Sequence, residues 1–378
     1  ESGSGHGCGH HLLGTALLGA AIALKEYLSA QGLSGTVIYY GCPAEEGAGA
    51  KQFMARAGMF DCCDFVYTWH PSAFNEISPD SSTAIMGANF EFRGVTAHAG
   101  GSPWAGRSAL DAAELMNVGC NYLREHIRDG ERVHYAYGDA GGTAPNVVPD
   151  YARIKYEVRS PKVAQVKELF ERVVHVAEGA ARMTDTQMTC EMTMAFSDSQ
   201  NNTVLGRIAD RALHEVGAPE WTQEDYDLAR RFTESYDENS KESVREELRE
   251  RFGDAALPEL LNKPLCSVVL PYNPSAGRAK GGSTDVGDVT YTVPTCEVHV
   301  ATYAMGTVGH TWQLAGQAGS PIGEKGLLAA AKVMALAAVY TMQDPAAMQA
   351  AKEEALRRNG GKYVCPLPDS VDPPVGKY

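Results

Sequence analysis

The chain has 378 residues, 44% of them hydrophobic and 21% charged, with 39 glycines and a formal net charge of -14. That length exceeds one small core, so two domains are expected, and the composition is that of an ordinary globular enzyme. A balance this negative, with no basic stripe against it, argues against a nucleic-acid or acidic-membrane partner.

The nine cysteines follow no disulfide framework. Cys42, Cys120, Cys190, Cys266 and Cys296 lie in apolar stretches and read as small buried hydrophobes. Adjacent Cys62 and Cys63 read as structural, and a reducing cytoplasm is the expected compartment. The chain opens at Glu1, a few residues ahead of its first motif, so a further N-terminal piece is expected. Leu12–Leu24 is interrupted by Lys25 and reads as too short for a membrane span.

In chain order, Gly5-His6-Gly7-Cys8-Gly9-His10-His11 leads into a helix predicted over Leu12–Leu28. Spacing of two in an extended segment puts Cys8 and His10 on one side, within reach of a shared metal. Thr36–Gly41 is predicted as a strand, and Pro43-Ala44-Glu45-Glu46-Gly47 follows it. Two adjacent carboxylates after an apolar run repel unless positive charge is near, and neighbours facing opposite sides permit a metal ligand beside a general base. A short helix over Lys51–Gly58 and a strand over Phe65–Trp69 lead to His70. This alternation up to about Met86 is the signature of a largely parallel sheet.

Beyond it the texture changes. Strands at Asn89–Arg93, Val133–Tyr137, Tyr151–Arg159 and Gln187–Ala195, with helices at Ser108–Ile127 and Val163–Ala181, spell β-α-β-β-α-β. We expect α/β architecture: a mostly parallel-sheet domain with helices on both faces over 1–87 and 200–378, and an inserted ferredoxin-like α+β lid over 88–199. Val204–Val216 is predicted as a helix, about 220–276 as a polar helical elaboration, and Gly281–Asp285 as a turn. Strand Cys296–Ala304 precedes Gly309-His310-Thr311-Trp312, then a helix over Lys325–Met342 and a Pro-rich tail, extended or loose, over Pro366–Tyr378.

Cys8, His10, Glu45, Glu46, His70 and His310 each sit where an apolar run yields to a Gly- or Pro-marked loop. In open α/β sheets such loops converge on one crevice. Singly, each has a plainer reading: a Gly-rich helix entry, a solvent-facing acid pair, a satisfied histidine. Jointly they are the ligand types of a transition-metal site, and the chain reads as a metallohydrolase. His98 and Asn146 stand on loops next to lid strands, suited to oxyanion or carboxylate contacts, a turn role being the alternative for Asn146. His126, His134, His175, His214 and His299 have no comparable setting.

Eight motifs in order carry a resemblance: G-H-G-C-G-H, P-A-E-E-G, T-W-H-P, G-V-T-A-H-A, S-P-W-A-G-R-S-A-L-D-A, G-G-T-A-P-N-V-V-P, S-T-D-V-G-D-V and G-H-T-W-Q. From Gly5 to the tail the chain resembles the amidohydrolase branch of the aminoacylase/carboxypeptidase metallopeptidases. The resemblance implies a two-ion ligand set of Cys8, His10, Glu46, His70 and His310, with zinc or manganese as the metal. It implies Glu45 as general base, His98 supporting the oxyanion in a partner subunit, and Asn146 and Arg159 contacting substrate. Much of the branch has Asp where this chain has His11. The implied reaction is hydrolysis of an N-acyl or N-aroyl amino acid, p-aminobenzoyl-glutamate being the best guess, in a homodimer formed through the lid or a hetero-oligomer with a related chain. The rivals are a non-catalytic metal-binding or regulatory subunit and the same hydrolysis on a dipeptide.

Overall fold

Leu12, Ala16, Ala20, Leu24 and Leu28 recur every four residues, so helix α1 (His10–Ala30) buries one face, against α11 (Pro321–Gln343). At 21 residues α1 is long and apolar enough to cross a bilayer by length and composition, contrary to the expectation for this segment; its buried stripe is that of a core helix. These elements belong to a computed structural model that describes residues 5–275, 277–280 and 282–376.

After α1 come α2 (Ala50–Arg56) and β1 (Val66–Ser72). Strand β1 runs parallel to β8 (Thr295–Ala301), from Val66 opposite Thr295 to Ser72 opposite Ala301. Two-residue strands β2 (Ser81–Ser82) and β7 (Ala279–Lys280) also pair in parallel. Trp69, Val298 and Val300 are fully buried between α1, α11 and α5 (Thr203–Val216). The strand expected over Thr36–Gly41 is not one. That segment makes no ladder among the described residues, and Ile38 and Tyr39 are 46% and 45% exposed. β-Favouring residues make a strand only when a neighbour accepts the backbone pairing.

The remaining strands form one antiparallel sheet in the order β4-β5-β3-β6, from β3 (Ala84–Arg93), β4 (Arg132–Asp139), β5 (Tyr151–Ser160) and β6 (Gln187–Phe196). Helices α3 (Ala109–Leu123) and α4 (Val163–Thr184) pack on it. The alternation in β5 is realised: Ala152, Ile154, Tyr156 and Val158 are fully buried under the helices. Cys190, expected inside, is exposed because β6 is an edge strand.

The polar stretch folds into α6 (Gln223–Thr233), α7 (Glu238–Phe252) and α8 (Leu257–Leu260), seated near the end of β8 through Ala229 and Leu248. Gly281 of the expected turn lies outside the described residues; Asp285 immediately precedes α9 (Val286–Thr290), its side chain making no cap bond to that helix. Helices α10 (Trp312–Ala318) and α12 (Pro345–Asn359) are additional to the expected set, although Asp344 caps α12 and Pro345 opens it. The tail, as far as Gly376, is extended but not loose. Leu367 is buried, and the Arg56 guanidinium donates to the Pro368 and Val371 carbonyls at 3.1 and 2.8 Å. Lys377 and Tyr378 lie outside the described residues.

Candidate active site

Four separate segments meet at the amino end of α1. Gly9, with φ +73°, turns the chain so that Cys8 and His10 follow one another into the same cavity. His70 arrives on β1, Glu45 and Glu46 on the loop before α2, and His310 on the loop after β8. His10 Nε2 lies 3.4 Å from His70 Nε2 and 3.7 Å from Glu45 Oε2. His10 Nδ1 is 3.8 Å from Glu46 Oε1, and His310 Nε2 is 3.2 Å from Glu46 Oε2. The ligand atoms of Cys8, His10 and Glu46 all lie within 4.8 Å of one another. Cys8, His10, Glu46 and His310, with Gly5, His6 and Gly7, line a cavity of about 270 Å3.

The backbone is strained where it delivers these groups. Ala44, just before Glu45, has φ +61°, and His310 itself has φ +59°. Non-glycine residues occupy that region at a cost of roughly 1–3 kcal/mol, and such costs cluster at functional sites. His310 is tied down by its amide, which donates to the Gly7 carbonyl at 3.0 Å. A Cβ on Gly7 would stand 2.9 Å from His310 Cα, so the two segments meet this closely only with glycine there.

Burial is the first cause of every resolved shift among the clustered groups. Burial, then Glu46 and Glu45, push the Cys8 thiol up to about 12. Burial, then Asp285, push Glu45 up to about 7. Burial lowers His10 and His70, leaving both imidazoles neutral near pH 7. The His70 Nδ1–H donates to the Pro71 carbonyl at 2.7 Å, where the Tyr303 hydroxyl also donates at 3.2 Å. That bond fixes the tautomer and leaves the Nε2 lone pair facing His10. A thiol, a carboxylate and an imidazole whose ligand atoms converge within 4.8 Å, beside the His70 lone pair, form a donor set that fits divalent cations.

Behind the cluster lie groups that the sequence reading left without a role. Lys51 Nζ meets the fully buried Asp285 at 2.7 Å, and the Lys51 amide donates to the other carboxylate oxygen at 3.0 Å. His299 lies between Glu297 (3.2 Å) and Glu76 (3.9 Å). Burial alone would lower His299, but the two carboxylates outweigh it and raise it to about 9. The signal for His299 was available, since alternation in β8 places Glu297 and His299 on the face that carries His70.

His98 and Asn146 are brought together, because the His98 loop pairs with that of Val147 and the Ala99 amide donates to the Asn146 carbonyl at 2.9 Å. Among the described residues no hydrogen bond or ion pair joins either to the Cys8–His310 cluster, and both side chains are exposed. His98 Nδ1 accepts from the Gly100 and Gly101 amides at 3.1 and 3.0 Å, so in the neutral ring Nε2 carries the proton. Arg159 donates to Ser283 Oγ at 2.9 Å and pairs with Glu157 at 3.5 Å.

Residues 81–184 match the family description "Peptidase dimerisation domain". Over 98% of its length the chain is 40% identical to one of the subunits of the p-aminobenzoyl-glutamate hydrolase of Escherichia coli, spanning 78% of that protein. It is 29% identical to the Xaa-Arg dipeptidase of Mus musculus over 93% of this chain and 70% of that one. The crystal structure of an aminobenzoyl-glutamate utilization protein from Klebsiella pneumoniae superposes with TM-score 0.56 at 21% identity, covering 85% of this chain and 66% of the other.

Proposed function

Because the chain belongs to the M20 family of peptidases and amidohydrolases, hydrolysis of an amide bond is its chemistry, and we propose that this amide joins an acyl or aroyl group to an amino acid. p-Aminobenzoyl-glutamate is the first candidate, in line with the name of the 40% identical relative. The observation that carries the proposal is the meeting of Cys8, His10, Glu45, Glu46, His70 and His310 in one cluster around His10 and Glu46.

Cys8, His10, Glu46, His70 and His310 would hold two divalent ions. Thiolate and imidazole suit zinc, and the carboxylate tolerates manganese. When bound, such ions supply Lewis acidity to the amide carbonyl and lower the pKa of water towards ~7. Glu45, half-buried with a carboxyl raised to about 7, takes the proton from the attacking water and returns it to the leaving amine nitrogen. His98, its Nε2 proton directed outward, donates to the oxyanion in the partner's site. Asn146 contacts the substrate, and Arg159 holds its carboxylate in exchange for Glu157.

Residues 88–199 serve as the lid and dimerisation domain, and 1–87 with 200–378 as the catalytic one. Assembly is a homodimer through the lid, or a hetero-oligomer with a related chain, in the cytoplasm. The test is metal content with hydrolysis of p-aminobenzoyl-glutamate, N-acyl amino acids and dipeptides under added zinc or manganese. Glu45→Gln is expected to abolish turnover with about two ions still bound; undiminished turnover in Glu45→Gln would overturn the base assignment. Bound metal in the unsubstituted protein without turnover of any of these would leave the non-catalytic metal-binding role as the reading.

A further inference from the structure

In the run Gly5-His6-Gly7-Cys8-Gly9-His10, glycines alternate with side chains that carry chemistry, and His6, Cys8 and His10 all line the same cavity of about 270 Å3. Cys8 and His10 belong to the ligand cluster; His6 does not. Of the other lining residues, Glu46 and His310 would hold ions as well, and Gly5 and Gly7 offer no side chain. His6 is therefore the one lining side chain left to meet a substrate.

His6 is exposed, and its imidazole makes no hydrogen bond or ion pair among the described residues. Its place is nevertheless fixed. The Gly9 amide donates to the His6 carbonyl at 3.2 Å, and the neighbouring Gly7 carbonyl accepts from the His310 amide at 3.0 Å. A Cβ on Gly5 would stand 3.3 Å from Ala315 Cβ, so the loop lies close against α10. The His11 ring, in the first turn of α1, packs on the His6 ring with centroids 4.6 Å apart and planes tilted by 37°. A ring contact leaves both ring nitrogens available, and a neutral imidazole carries an N–H donor in either tautomer.

An amino acid with an acidic side chain brings two carboxylates to such a site. One is assigned above to Arg159; the other needs a donor in the cavity. We propose that His6 is a substrate-binding residue that selects an acidic side chain on the amino-acid half, its imidazole N–H donating to that side-chain carboxylate. The His11 ring holds it in place. This rests on the hydrolase reading above and names the class of amino acid that the site prefers.

The experiment compares p-aminobenzoyl-glutamate with p-aminobenzoyl-glutamine, alike in shape but neutral at the side chain, on the full chain loaded with zinc or manganese. His6→Phe keeps a ring against His11 and loses the donor, whereas His6→Gln keeps an N–H donor. From the worth of a hydrogen bond to a charged group, wild type should favour the glutamate compound by roughly 10- to 100-fold in kcat/KM. His6→Phe should lose that preference through KM, with kcat and ions per chain unchanged, and His6→Gln should keep part of it. A wild type without the preference, or a His6→Phe protein that retains it, overturns the inference and leaves the hydrolase reading standing. Calorimetric titration of the loaded proteins with L-glutamate and L-glutamine gives a readout that needs no turnover. If no acyl-amino acid is hydrolysed, the functional reading fails. Tighter binding of glutamate by wild type, lost in His6→Phe, would then still support the role of His6, and equal binding by the two proteins would overturn it.

Discussion

His299 stands directly opposite His70 in the β1–β8 register, their ring centroids 6.4 Å apart, and the two imidazoles hold protons in opposite ways. Burial depresses His70, whose Nδ1–H goes to a carbonyl, so its Nε2 stays open as a ligand. Glu297 and Glu76 claim His299 and raise it to about 9. One strand pair thus presents a bare lone pair and a half-buried cation side by side. A raised histidine contributes stability that is fully present below its unfolded pKa and lost as pH rises through the folded one. For His299 that window runs from about 6.5 to 9 and is worth on the order of 3 kcal/mol. Glu297→Gln should bring the His299 titration, followed by NMR, down by a unit or more and flatten the loss of stability over that window. An unchanged titration would show that Glu297 is not its partner.

Metal loading should release protons in a pH-dependent number. Without metal the Cys8 thiol, at about 12, is protonated across the working range, and a ligating sulfur must be a thiolate. Glu45, at about 7, is mostly protonated at pH 6 and mostly ionised at pH 8. Calorimetry of zinc binding in buffers of differing ionisation enthalpy should give about one proton released at pH 8 and a larger number at pH 6. The raised Glu45 carboxyl also gives the metal-free protein stability that is present below pH 4.5 and lost as pH rises through 7. The metal-free protein should therefore melt lower at pH 8 than at pH 5.5, and metal should remove most of that slope. A constant proton count would contradict a protonated Glu45.

The six residues of the cluster are legible because each is tied to a local signal, a Gly- or Pro-marked loop at the end of an apolar run. The groups that lie behind them are not. Lys51 and Asp285 are 234 positions apart, and nothing in either neighbourhood announces the other. For His299 only half of the setting is local: Glu297 follows from the alternation of β8, while Glu76 comes from beyond β1 and is joined to it only by the strand pairing. The alternation of β5 made its buried face readable. The β-rich run over Thr36–Gly41 misled, since residue preference says nothing about whether a neighbour is there to pair. The close approach of Gly7 to His310 shows the same limit: glycine marked a loop, but not which segment crosses it.

Gly49 should prove irreplaceable for stability. Its φ of +65° already disfavours any side chain, and a Cβ would overlap the buried Phe196 ring. Left-handed strain of about 1–2 kcal/mol and overpacking of about 1–3 kcal/mol act together. Gly49→Ala should lose roughly 2–4 kcal/mol in denaturant unfolding, with Gly47→Ala, where a Cβ meets nothing within 4 Å, as the mild control. Equal losses in the two would mean that the α2 entry is not the tight point.

His98 offers the sharpest test of assembly. Its ring is aimed by the Gly100 and Gly101 amides, yet it makes no contact with the cluster of its own chain among the described residues. Loss of one oxyanion donor costs on the order of 100- to 1,000-fold in kcat, so His98→Ala should fall by that much with metal content unchanged. If the residue acts across a dimer, mixing His98→Ala and Glu45→Gln chains rebuilds one intact site in each mixed dimer, with Glu45 from one protomer and His98 from its partner. Random pairing in a two-fold dimer then restores about a quarter of wild-type activity. If His98 served its own chain, every site in the mixture would lack one group and no activity would return. A mixture no more active than its components would therefore remove His98 from the partner's site.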